Sequence, residues 1–140
     1  MARLATASAV AIILLWVCQV NAQPRYWMKT WRVDAVACSK CPKDFGKSLI
    51  GKEVSFSDKR FDNPLYESCD GDIDYSDISE TDVASLSRKF GITWRFPKLA
   101  GPEVLSGWVR CHGYNFGGFI FESEKQGYYL FEDGAVLSLR

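Results

Sequence analysis

Two cysteines have the spacing at which dithiol chemistry occurs. Cys38 and Cys41 enclose Ser-Lys, and Pro42 follows them. A reactive C-x-x-C lowers the pKa of its first thiol by placing it at a helix N-terminus within a βαβ unit. Here the motif follows a strand-like run and residues 42–46 favour a loop, so we expect a local disulfide at a strand end. A dithiol oxidoreductase that uses this pair is an alternative, and a zinc site made of four cysteine thiolates is another.

Acidic and histidine side chains are the next candidates for chemistry. The aspartates within residues 70–74 resemble the start of an EF-hand calcium loop, but the sixth position is Tyr75 instead of Gly and the twelfth is Thr81 instead of Glu. A solvated acidic loop is therefore expected. His112 is the only histidine, which excludes zinc proteases that need two, and we expect it at a strand end. The sequence thus predicts no catalytic residue, no metal and no cofactor, and we expect a protein that is not an enzyme.

Aromatic side chains are the remaining candidates for recognition. The chain has 5 Trp, 6 Tyr and 9 Phe. Core packing explains most of them, but aromatics exposed around a barrel mouth or on a loop are typical of binding sites. The binding candidates are Trp27, Trp108, Tyr114 and Phe116. The Gly-rich segment 113–118 favours a mobile loop that would carry the last two.

The N-terminus has the three parts of a secretory signal peptide. Arg3 precedes an apolar run over residues 9–17, and Val-Asn-Ala at residues 20–22 provides the small-residue cleavage site. We expect cleavage after Ala22, export to the periplasm or beyond the cell, and a single domain over residues 23–140. The apolar run is shorter than the ~20 residues of a membrane span, and no later segment approaches that length, so a soluble mature protein is expected.

The mature chain would have a nearly balanced charge. Cleavage leaves 118 residues and removes only Arg3 among the charged residues, so 16 Lys and Arg face 17 Asp and Glu and the net charge is −1. This balance disfavours a nucleic-acid partner. The oligomeric state is left open.

Four cysteines remain after cleavage, an even number that predicts two disulfides in an oxidising compartment. Three pairings are possible, and we favour Cys69–Cys111 with Cys38–Cys41. The first closes a long loop and would stabilise the fold by roughly 4 kcal/mol, whereas the second closes four residues and would contribute about half as much.

Alternation of apolar and polar residues predicts most of the chain to be strand. The side chains expected to face inward from the first two strands, 31–37 and 52–57, are Trp31, Val33, Ala35, Val54 and Phe56. Residues 58–75 are polar and favour a loop or a short edge strand. Further strands are predicted at 92–96, 104–111, 119–122 and 128–132, with a last strand at 135–139 after an Asp133-Gly134 turn.

One helix is predicted over residues 80–90. Ser79 would be its N-cap, Val83, Leu86 and Phe90 would share one face, and Gly91 would end it. Six to eight short strands with one short helix favour a mostly β fold, a small closed or nearly closed antiparallel β-barrel.

The chain resembles small exported bacterial proteins of unassigned function that have a lipocalin-like, or calycin-like, barrel. The segments that carry the resemblance are Trp31, residues 49–52, residues 90–92, the strand that ends at Cys111 and the final segment 129–140. It implies a meandering barrel closed at one end by an N-terminal Trp under a late Arg, which here are Trp31 and Arg140. Lys29 stands where lipocalins have the Gly of their Gly-x-Trp motif.

Three functions are compatible with these features. We favour a non-enzymatic exported binding protein that uses a barrel mouth or loop surface to hold a small apolar ligand or a protein. An inhibitor of a cell-wall hydrolase of the lysozyme type is the alternative, because Ser106-Gly107 resembles part of the motif of such inhibitors. The dithiol oxidoreductase is third. A barrel interior filled by side chains such as Val54, Phe56, Trp94 and Phe121 would exclude an internal ligand.

Overall fold

A computed structural model describes residues 25–91, 94–131 and 134–140, so the predicted signal peptide lies outside the described residues. Nine strands lie within these ranges: β1 Thr30–Ala37, β2 Glu53–Phe56, β3 Arg60–Asp62, β4 Cys69–Asp70, β5 Ile73–Asp82, β6 Glu103–Cys111, β7 Tyr114–Ser123, β8 Gln126–Leu130 and β9 Val136–Leu139. A 3₁₀ turn at Val83–Ser85 leads into a short helix, α1, at Leu86–Phe90.

The strands form one antiparallel sheet in the order β4-β3-β2-β1-β9-β8-β7-β6-β5, which curls into a nearly closed barrel. This confirms the predicted fold class. Two contacts cross the remaining gap near the ends of the sheet. The Tyr75 hydroxyl of β5 donates to the backbone O of Ser57, the residue after β2, at 2.8 Å and accepts from Ser57 N at 3.1 Å. The Cys69–Cys111 disulfide joins β4 to β6 there, and Cys38–Cys41 is the second disulfide, so both predicted pairings are confirmed.

Aromatic rings fill the inside of the barrel. The buried rings that line it are Trp27, Trp31, Phe56, Phe61, Phe119, Phe121 and Tyr129. The centroid of Phe121 lies 4.9 Å from that of Trp31 and 5.5 Å from that of Phe56. These rings occupy the space that an internal ligand would need.

A second apolar layer covers the outer face of β6 to β9. Side chains alternate along each strand, so Phe119 and Phe121 point into the barrel while Ile120 points outward against Leu86 and Phe90 of the helix. Both faces of these strands are therefore buried. Trp94 packs in this outer layer and not in the interior where we expected it.

The first strand contains a bulge that its alternating sequence pattern does not predict. Val33 pairs with Leu139 but Ala35 pairs with Ser138, which leaves Asp34 as the extra residue. One inserted residue reverses the face of the sheet to which each later side chain of the strand points. Ala35 is consequently exposed, contrary to prediction, and Val36 packs against the core instead.

The predicted helix begins too early. Residues 79–82 continue β5, with Thr81 opposite Val104 and Asp82 opposite Glu103, because strand pairing with β6 outweighs the local helix signal. Asp82, not Ser79, caps the following turn by accepting from Ala84 N. The helix ends at Gly91 as expected, where φ is 90°.

Lys89 of the helix supports a second bulge, in β5. The register shifts between Ser76 and Ser79, and Asp77 there has a φ of 51°. The Lys89 ammonium donates to Asp77 O, to Ser79 Oγ at 3.1 Å and to Ser106 O at 3.2 Å. Burial lowers the pKa of Lys89, and the nearby Asp77 carboxylate opposes that shift.

One other predicted segment differs from the structure, whereas the final hairpin agrees with it. No strand forms over residues 94–96, and residues 92 and 93 lie outside the described ranges. Trp94 instead donates from Nε1 to Phe131 O at 2.6 Å. The final hairpin is confirmed by β8–β9 pairing from Gly127–Leu139 to Leu130–Val136, although Asp133 of its turn is not described.

Candidate functional site

The structure separates the four predicted binding residues. Trp27 is 3% exposed and stacks on Phe119 with centroids 4.9 Å apart, so it belongs to the barrel core. Trp108 is half-buried in the outer layer, where its ring centroid is 4.8 Å from that of Phe90. Tyr114 and Phe116 alone come together at an open surface.

Tyr114 and Phe116 lie at the start of β7, not on a mobile loop as expected. The turn before them consists only of His112 and Gly113, whose φ angles are both positive, at 49° and 79°. Cys111 and Tyr114 therefore pair directly across β6 and β7. The strand fixes the direction of both rings.

The two rings form one wall of a groove, which we call the aromatic groove. Its lining is Tyr66, Glu67, Tyr114, Asn115 and Phe116, and its volume is about 490 Å³. Tyr114 is 75% exposed and Tyr66 is 42% exposed. Two large aromatic side chains exposed in one groove form a contiguous patch of the kind that marks a binding site.

Tyr66 comes from the connection between β3 and β4, which local hydrogen bonds hold in place. The side-chain oxygen of Asn63 accepts from Leu65 N at 3.0 Å and from Tyr66 N at 2.8 Å. The Tyr66 ring then lies 5.7 Å from Phe116 and 4.7 Å from Phe131, measured between centroids. The groove thus rests on an ordered aromatic base.

The Cys69–Cys111 disulfide ties together the two segments that line the groove. Cys69 follows the Tyr66–Glu67 segment by two residues, and Cys111 precedes the turn to Tyr114. Both half-cystines are buried, at 1% and 4% exposure. Beneath the wall formed by Tyr114 and Phe116, Tyr129 of β8 donates its hydroxyl proton to Phe116 O. A covalent link and a partly buried hydrogen bond therefore pre-position the rings.

The polar groups of the groove are few. Asn115 Oδ1 accepts from Gly117 N at 3.0 Å, which fixes the amide and turns its NH₂ group away from that contact. Glu67 supplies the one carboxylate of the lining. The site therefore suits stacking of a flat apolar group with one or two polar contacts, and bond-making chemistry has no evident nucleophile there.

The expected pair of Trp31 and Arg140 is arranged differently. The cation over the Trp31 ring is Lys29, whose Nζ lies 4.1 Å from the ring centroid. Arg140 Nε instead bonds Asp34 Oδ2 at 2.8 Å and Gln126 Oε1 at 3.0 Å. The backbone of Arg140 does return to the first strand, exchanging hydrogen bonds with Arg32.

The cysteines and the aspartate considered as metal ligands are bonded to other groups of the protein. Potential ligand atoms of Cys69, Cys111 and His112 lie within 4.8 Å of one another, but the two sulfurs form a disulfide and offer no thiolate. In the acidic segment, Asp70 accepts from Arg60 at 2.9 Å within an exposed ion-pair network. Asp70 is therefore already paired with a cationic side chain.

Ser106, whose resemblance to an inhibitor motif suggested a hydrolase inhibitor, does not lie at the protein surface. It is 0% exposed in the middle of β6, and its hydroxyl is hydrogen bonded to that of Thr81. The adjacent Gly107 faces the barrel interior, where an added Cβ would lie 2.5 Å from Phe119 Cζ. Neither residue is positioned to enter the cleft of an enzyme.

Comparison with protein-family models, with curated proteins and with solved structures finds no match to this chain. Within the described ranges, no helix has both the length and the apolar character needed to cross a membrane.

Proposed function

We propose that this protein is an exported binding protein and that the aromatic groove holds a small, flat, apolar ligand. The observation that carries the proposal is the 75% exposure of Tyr114 beside Phe116 and Tyr66 in a groove of about 490 Å³. Sites for small molecules usually span roughly 300–1,000 Å³ and combine aromatic walls with a few polar groups.

The state of the barrel interior supports a surface site. Trp31, Phe56 and Phe121 are each no more than 1% exposed and pack against one another. A lipocalin-type ligand inside the barrel would have to displace these rings, at a cost of several kcal/mol for each buried ring. A ligand in the aromatic groove displaces none of them.

Export is supported by two independent features. Residues 1–22 have the composition of a cleavable signal, and the folded domain contains two disulfides, which persist in oxidising compartments. A lipocalin-like ancestry would agree with a small exported binder. We therefore propose a location in the periplasm or outside the cell.

Titration with Nile red, a flat neutral fluorescent dye, tests the proposal. Tyr114→Ala should raise the dissociation constant about tenfold, since loss of one stacked ring costs about 1.5 kcal/mol. Ile50→Ala is the matched control, because Ile50 is a large hydrophobic side chain, 49% exposed, on a different surface. Equal affinity of wild type and Tyr114→Ala, or an equal loss in Ile50→Ala, would contradict the proposal.

A further inference from the structure

The Cys38–Cys41 disulfide lies in a second groove, separate from the aromatic groove. This groove, the disulfide groove, has a volume of about 350 Å³. Its lining is Val36, Cys38, Cys41, Pro42, Lys43, Phe45, Gly46, Lys47 and Ile50. Both half-cystines are half-buried, so the bond has one side toward the core and the other toward solvent.

The two disulfides differ sharply in access. Cys69 and Cys111 are 1% and 4% exposed and join segments 42 residues apart. Cys38 and Cys41 are three residues apart, beyond the last residue of β1, and take part in no strand pairing. Opening the second bond would therefore leave the sheet and the interior intact.

The surroundings of the half-buried Cys38–Cys41 bond suit thiol exchange. Lys43 and Lys47 line the groove, and a cation near a sulfur favours the thiolate that exchange requires. The Asp44 Oδ1 atom lies 2.7 Å from Lys47 Nζ, whereas no carboxylate pairs with Lys43 among the residues that the structure describes. Phe45 and the exposed Ile50 add an apolar wall on which a peptide side chain can rest.

We propose that Cys38–Cys41 is a redox site that oxidises the paired thiols of an acidic polypeptide, independently of any ligand in the aromatic groove. A substrate thiolate attacks one sulfur of the bond, forms a mixed disulfide and releases the other cysteine as a thiolate, which takes up a proton. The second substrate thiolate then attacks the substrate sulfur of the mixed disulfide. The products are a substrate disulfide and two thiols on this protein, so two electrons pass from substrate to protein.

The first experiment compares the two disulfides in the native protein. Dithiothreitol is added, samples are alkylated over time, and peptide masses report which cysteines have been reduced. We expect Cys38–Cys41 to open at least 100-fold faster than Cys69–Cys111, with the near-ultraviolet circular dichroism unchanged. Equal rates for the two bonds would overturn the proposal.

The second experiment tests the groove. Two synthetic dicysteine peptides, one with Glu and one with Lys beside the cysteines, are incubated with the oxidised protein. The acidic peptide should be oxidised at least tenfold faster, and Lys43→Glu should abolish that preference. Lys125→Glu, at the exposed turn between β7 and β8, is the matched control and should keep it. Equal rates for the two peptides, or a preference that survives Lys43→Glu, would overturn the proposal.

Discussion

Replacing Phe121 by Ala removes the ring at the centre of the barrel. Phe121 is fully buried, with centroids 4.9 Å from Trp31 and 5.5 Å from both Phe56 and Phe119. The neighbouring strand accommodates it only because residue 127 is Gly, where a Cβ would lie 2.2 Å from Phe121 Cδ1. Truncating such a ring costs about 3–5 kcal/mol, since the surrounding groups relax only partly into the cavity.

Urea and thermal unfolding measure this loss. For a domain of this size, about 4 kcal/mol corresponds to a fall of roughly 15 °C in the melting temperature. The cavity should also bind benzene, as apolar cavities of this kind do, so saturating benzene should restore part of the stability of the variant and leave the wild type unchanged. Phe96→Ala is the control: Phe96 is half-buried in the outer layer, so its loss should be about 1–2 kcal/mol.

Two results would refute the reasoning. One is a loss below about 1 kcal/mol for Phe121→Ala, because a fully buried ring packed against several others costs more than that to remove. The other is a benzene effect as large in the wild type as in the variant, because it would mean that the interior already contains a cavity.

Three further changes test other contacts. Lys89→Met should lower the free energy of unfolding by about 1–3 kcal/mol in urea, because it strips hydrogen-bond donors from the β5 bulge, and unchanged stability would contradict this role. Burial and the hydrogen bond to Glu122 raise the pKa of Tyr128 to about 12, above the value of 10.0 at which an unfolded tyrosine ionises. Stability should therefore fall as pH rises from about 10 to 12, and Tyr128→Phe should make that fall shallower. Hydrogen bonds from Arg60 lower the pKa of Asp62 below 3.8, so the stability that they supply is lost as pH falls through the lowered pKa. In Asp62→Asn, the free energy of unfolding in urea should therefore depend less on pH in that acid range. An unchanged pH dependence would count against the Arg60–Asp62 pair.

The strands could be predicted because alternation of apolar and polar residues is a local signal. The disulfides could be predicted because four cysteines allow only three pairings. Val54 and Phe56 alternate over a short run and both are buried, as the pattern requires. The pairing of Cys69 with Cys111 was one of three choices. Register was harder, since the bulge at Asp34 inserts one residue without any sequence mark and turns Ala35 outward.

The helix start and the groove depended on long-range contacts. Ser79 has the local signature of an N-cap, but pairing with β6 keeps that segment in a strand. Tyr66 lies far from Tyr114 in sequence, and only the fold and the Cys69–Cys111 bond bring them together. Asn-Pro at residues 63–64 is a local turn signal, and it could have drawn attention to the neighbouring Tyr66.

Chemical-shift mapping of a Nile red titration tests the central claim most directly. If the barrel is filled and recognition occurs at the aromatic groove, the backbone amides that shift should cluster at residues 66–67 and 114–116. Shifts centred on Trp31, Phe56 and Phe121, with the groove amides unmoved, would show that the dye enters the barrel and would contradict the account.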